Sequence, residues 1–114
     1  MSVKDNVEKA KIILAQLGGK RFAAMTGSRD FLALENGLRM KLARNNSRAN
    51  ILEITLDPND TYSLRFYKYT RGRLNKKTLA YVPDKITEVK NYNDIYCDQL
   101  QDIFTDVTGL YTHL

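Results

Sequence analysis

Apolar residues recur at steps of three and four near the start of the chain, where Val3, Val7, Ala10, Leu14 and Leu17 share one side and Lys4, Glu8, Lys9 and Lys11 lie elsewhere. That period predicts an amphipathic helix over residues 3–17. Ser2 and Asp5 suit a capping box at its start, and Gly18-Gly19 stops it. Beyond the glycines the period shortens to two, which is the signature of strands. Residues 21–26 read as a first strand and 27–30 as a turn. Residues 31–35 and 38–43 then read as a hairpin around Asn36-Gly37, a pair suited to the positive φ angles of a type I′ turn. In this reading Leu32, Leu34, Leu38, Met40 and Leu42 point into the core, and Arg39 and Lys41 point outward.

Residues 44–50, RNNSRAN, form a polar loop. A strand follows at 51–56 with Leu52, Ile54 and Leu56 inward, then an Asp57-Pro58 turn. From Asp60 the alternation resumes: Tyr62, Leu64 and Phe66 fall on one face, and Arg65, Tyr67 and Tyr69 on the other. A basic loop at 71–77 leads to a strand near 78–82, and a short strand is expected at 85–90. The last element reads as a helix, with Tyr96, Leu100, Ile103, Phe104 and Val107 as its apolar stripe. Asp94, Asp98, Asp102 and Asp106 repeat every four residues on the opposite side, and Gly109 ends it, leaving Leu110, Tyr111 and Leu114 to pack beside the core. The expectation is one α+β domain over residues 1–114: a mostly antiparallel sheet of five to six strands, with an N-terminal and a C-terminal helix packed on one face.

Charge changes this picture because it is unevenly placed. Between Lys20 and Lys77 thirteen Lys and Arg residues face five Asp and Glu, whereas Asn91 to Leu114 carries four aspartates and no Lys or Arg. A basic body invites an anionic partner, and an acidic end invites a basic one. If Arg39, Lys41, Arg44, Arg48, Arg65, Arg71, Arg73, Lys76 and Lys77 converge, they neutralise phosphates while Tyr67 and Tyr69 stack on bases. Asn45, Asn46, Asn50 and Asn75 add hydrogen-bonding capacity. The competing reading is a solvated surface on a well-formed sheet. The stripe Asp94, Asp98, Asp102 and Asp106 likewise reads either as solvated or as a protein-binding face.

Catalytic and metal signatures are weak. Cys97 is the single cysteine and His113, one residue from the end, the single histidine, and no hydroxyl stands near either in a recognisable nucleophile motif, so neither a nucleophile–base pair nor a cysteine–histidine metal cluster is indicated. Gly18-Gly19-Lys20 and Gly27-Ser28 match neither the P-loop nor the dinucleotide spacing. A non-enzymatic protein without cofactor is expected. One cysteine, no apolar signal core in MSVKDNVEK and no run of about 20 apolar residues favour a reducing cytoplasm and no membrane partner.

The segments RFAAMTGSRDF, LRMKLARNNSRAN, ITLDPNDTY and DIFTDVTGLYTHL resemble a group of small proteins encoded by phages and other bacterial mobile elements. The likeness covers most of residues 12–114. It implies a host cytoplasm, and a non-enzymatic accessory protein that binds nucleic acid or, alternatively, a protein-binding inhibitor of host defence or an assembly factor. A homo-oligomer remains open.

Overall fold

The computed structural model describes residues 3–112, so the expected cap at Ser2, the packing of Leu114 and the position of His113 lie outside the described residues. Helix α1 spans Val3–Leu17. Its buried stripe is Ala10, Ile13 and Leu17, flanked by half-buried Leu14, while Val7 is exposed at its rim. The stripe is thus rotated from the expected one, and Ile13 takes the central place.

Residues 21–26 are helical, not a strand. Helix α2, Gly19–Thr26, follows α1 after a turn at Gly18. Ala23, Ala24 and Met25 are strong helix formers, and Phe22 and Thr26 are buried one turn apart. In a strand Ala24 would share the face of Phe22 and Thr26, yet it is exposed, which fits a helix turn and not a half-buried strand.

Five strands form an antiparallel sheet in the order β1-β2-β3-β4-β7. They are β1 (Arg29–Leu34), β2 (Gly37–Lys41), β3 (Ile51–Leu56), β4 (Tyr62–Thr70) and β7 (Lys85–Ile95). Two short strands, β5 (Arg73–Leu74) and β6 (Tyr81–Val82), pair separately between β4 and β7. After β7, a 3-10 turn at Cys97–Gln99 leads into α3, Leu100–Thr108, which is capped by Gly109 in the left-handed region. The expected last strand is therefore longer and the last helix shorter. Tyr96 lies outside α3 and is exposed, as is Tyr111.

The hairpin between β1 and β2 turns one residue earlier than expected, at Glu35-Asn36, with positive φ at Asn36 alone of the two. Leu34 pairs with Gly37 and Ala33 with Leu38. A two-residue loop always sets even-numbered residues of one strand against odd-numbered residues of the other, so Leu34 and Leu38 cannot share a face. Leu32 consequently lies opposite Arg39 and is 51% exposed, while Ala33 faces the core.

The core lies on one side of the sheet. Leu38, Met40, Leu52, Ile54, Tyr62, Leu64 and Phe66 pack under Ala10, Ile13, Leu17, Phe22, Leu100 and Phe104. The rings of Phe22 and Phe104 meet edge to face at 4.9 Å between centroids, joining α2 to α3. Gln101 donates its side-chain amide to the Leu17 carbonyl, and Tyr62 donates its hydroxyl to Gln16, which ties α3 and β4 to α1.

Gly37 is required by close approach: a β-carbon there would lie 2.5 Å from the Ile54 carbonyl oxygen of β3. Gly37→Ala is therefore expected to lower stability by about 1–3 kcal/mol through overpacking against backbone. Urea denaturation measures it, with an unchanged m-value expected because the fold is retained.

Candidate nucleic-acid interface

On the outer face of the sheet, antiparallel register sets side chains in rows. Arg39 of β2, Glu53 of β3 and Arg65 of β4 face one another, and Lys41, Ile51, Tyr67 and Glu88 make the next row. The four sequence-selected residues Arg39, Lys41, Arg65 and Tyr67 are thus brought together, yet Lys41 and Arg65 are already paired with carboxylates, and Arg39 stands opposite Glu53 in register without an ion pair among the described residues. Arg65 binds Glu88 through Nε at 2.5 Å and lies 4.0 Å from Glu53, while Lys41 reaches Asp30 at 3.5 Å. The Arg65 guanidinium also sits 4.3 Å above the centre of the Tyr67 ring.

Tyr67 is buried at 3% exposure and donates its hydroxyl to Glu53. Burial, then the hydrogen bond to Glu53, push its pKa up to about 12. The Glu88 hydrogen bond raises the Arg65 pKa further. Arg65, Glu53, Glu88 and Tyr67 form one network here with the tyrosine ring covered, so Tyr67 offers no stacking surface.

The remaining sequence-selected cations lie at one end of the sheet and beyond it. Loop 44–50 is held against the end of β4 by Asn50, whose side chain accepts from the Tyr69 backbone N–H at 2.7 Å and donates to the Tyr69 carbonyl at 2.8 Å. Asn45 bridges the Ala43 and Ala49 carbonyls, and Asn75 accepts from the backbone of Lys77 and Thr78. Three of the asparagines expected to serve a ligand are therefore engaged in shaping loops. Arg44 and Arg48 line a cleft of about 560 Å³ together with Lys68.

Lys68 was not selected from the sequence, although a signal exists. It continues the inward positions of Leu64 and Phe66, and a lysine at that place marks where the core ends.

Past Thr70 the chain leaves the sheet as an arm. Residues 70–88 are all exposed except half-buried Gly72. The radius of gyration is 15.5 Å, with extents of 50 × 36 × 24 Å, against about 13 Å expected for a compact chain of this length. The arm carries Arg71, Arg73, Lys76 and Lys77, and no acidic residue from 71 to 83.

At its base Asp84 accepts from the Tyr69 hydroxyl and from the Gly72 N–H, both at 2.6 Å. These two bonds lower the Asp84 pKa, and the shared hydrogen bond raises that of Tyr69. A β-carbon on Gly72 would come 2.4 Å from the Val82 carbonyl oxygen, so the two arm strands meet closely there. Among the described residues, none of Arg44, Arg48, Lys68, Arg71, Arg73, Lys76, Lys77 and Lys85 forms an ion pair.

The aspartates do not make one helical stripe. Asp102 and Asp106 are on α3, Asp98 is in the 3-10 turn, and Asp94 sits in β7 with a positive φ of 58°. All four are exposed. Cys97 is exposed, and no group of three or more His, Cys, Asp or Glu residues is placed to hold a metal among the described residues. Nor is any described helix long and apolar enough to cross a membrane. Comparison with protein-family models, curated proteins and solved structures finds no match.

Two expectations follow from these contacts. The folded pKa of Tyr67 lies above the unfolded value of 10, so the contribution of its neutral hydroxyl is complete below pH 10 and is lost as pH rises toward 12. Tyr67→Phe should cost about 1–2 kcal/mol near neutral pH and remove this part of the alkaline destabilisation, as read by chemical denaturation across a pH series. Asp84→Ala should raise fast backbone motion across residues 71–84 in ¹⁵N relaxation while the five-stranded sheet keeps its order parameters.

Proposed function

We propose that this chain is a non-enzymatic accessory protein of a phage or other mobile element, working in the host cytoplasm by binding nucleic acid through its basic arm and the adjoining 44–50 loop. One observation carries the reading. Of the outer-face cations Lys41 and Arg65 hold carboxylates and Arg39 is half-buried, whereas Arg44, Arg48, Lys68, Arg71, Arg73, Lys76, Lys77 and Lys85 are all exposed along the arm and its base and form no ion pair among the described residues.

Unpaired cations ranged along an exposed ribbon suit a polyanion, because releasing its condensed counterions favours binding. The same physics assigns Lys41, Arg65 and Tyr67 to supporting the sheet. Arg65 already holds two carboxylates and an aromatic ring, and a phosphate would have to displace them.

The alternative, a protein-binding inhibitor or assembly factor, keeps one observation in its favour: Asp98, Asp102 and Asp106 are exposed and make no ion pair among the described residues. Capture from nuclease-treated host lysate separates the two readings, since partners bridged by nucleic acid disappear and a direct protein partner persists.

The primary test is affinity for duplex DNA over a salt series. Engagement of about five phosphates gives a log–log slope of about −4.5. That slope corresponds to a loss of several hundred-fold between 50 and 200 mM salt, as about 0.6 of a decade in salt. A flat response, or absence of binding at low salt, rejects the reading.

A further inference from the structure

Resting on the nucleic-acid reading, we propose that the 71–84 arm is a duplex-specific element whose tip residue, Leu79, enters the minor groove and unstacks a base step while Arg73, Lys76 and Lys77 hold the flanking phosphates. The arm is a two-stranded ribbon, with Arg73 paired to Val82 and Leu74 to Tyr81. Its tip is closed by backbone hydrogen bonds from Asn75 to the Ala80 carbonyl and from Leu79 to the Asn75 carbonyl. Residues 71–75 run out to the turn and span about 16 Å, more than the depth of either groove of B-DNA, about 7.5–8.5 Å.

Leu79 is 76% exposed, the largest value among the exposed large apolar residues, and its φ is +59°. Asparagine or glycine would occupy this left-handed position with less strain. A leucine held there projects an apolar group from a tip that otherwise presents Lys76 and Lys77, the combination by which groove-binding proteins drive a wedge between base steps.

Two other anionic partners fit less well. Single strands are bound by stacking on successive exposed rings, but Tyr67 is covered by Arg65 and the Tyr69 hydroxyl is tied to Asp84, which leaves Tyr81 as the single exposed ring of the arm. A membrane surface favours an element whose apolar groups gather on one face. Here Val82 shares a face with Arg73, and Leu74 and Tyr81 lie on the other.

The test uses the full chain with an end-labelled duplex of about 25 base pairs, long enough to report a bend, and a 2-aminopurine reporter at a central step. The intact protein is expected to bend the duplex, within about 20–90°, and to raise the reporter fluorescence. Leu79→Asn, which suits the tip backbone and touches no core residue, should abolish most of both signals and leave the salt slope unchanged. The double variant Lys76→Gln and Lys77→Gln should lower the slope magnitude by about 2.

Equal bending by Leu79→Asn and wild type overturns the inference, as does tighter binding to a single strand of the same length. In both cases a steep salt slope leaves the nucleic-acid reading standing. Absence of salt-dependent binding to any nucleic acid overturns both, and so does Leu79-dependent binding to phosphatidylserine vesicles without duplex binding.

Discussion

The sheet is covered by helices on one face only, and the rest of the molecule follows from that. Fully burying a Leu, Ile or Phe contributes about 1.5–3 kcal/mol each, and the inner face gathers Leu38, Met40, Leu52, Ile54, Leu64 and Phe66 beneath α1, α2 and α3. The outer face has no such cover. Ile51 and Tyr67 are nevertheless almost fully buried there, shielded by long neighbouring side chains in place of a second layer. The guanidinium of Arg65 lies over the Tyr67 ring and is held by Glu88 and Glu53. Exposed ion pairs contribute little alone, about 0–1 kcal/mol, so the network serves chiefly to orient side chains that keep water from two large residues.

The sheet edges are shaped against unwanted pairing. Edge strand β1 carries one register irregularity near Asp30, and β7, the opposite edge, carries two. Each adds an unpaired residue and extra twist, which blunts an edge as a template for another strand. With helices on one face and both edges irregular, the arm is the longest exposed stretch among the described residues. Asp84 sets the direction of that arm, since one carboxylate joins the end of β4, through Tyr69, to the first turn of the ribbon, through Gly72.

Much of the fold was legible in the chain. The 3.6-residue period gave the limits of α1, and strict alternation gave β3 and the inward triplet of Tyr62, Leu64 and Phe66. Two features were not legible for identifiable reasons. Residues 21–26 are a short stretch whose apolar residues, Phe22 to Met25, are contiguous and display no period, so only the helix propensity of Ala23, Ala24 and Met25 argued against a strand. Asp94 and Asp98 kept a helical spacing, yet β4 offered β7 a pairing edge as far as Ile95, and the strand ladder took Asp94 from the helix. The candidate site was legible as a set of residues and illegible as a surface. Alternation placed Arg39, Lys41, Arg65 and Tyr67 on one face, but it was silent about Glu53, Glu88 and Asp30 arriving beside them from neighbouring strands.

Sequence alone determined that this is an α+β domain with one apolar sheet face, a surplus of cations in its middle and a basic segment at 71–77, because periodicity and charge are local properties of the chain. Tertiary structure decided which of the described cations hold an ion pair. Strand register sets distances between side chains far apart in sequence, and only those distances distinguish Arg65, held by Glu88, from Arg71, Arg73, Lys76 and Lys77, which stand on an arm without ion-pair partners.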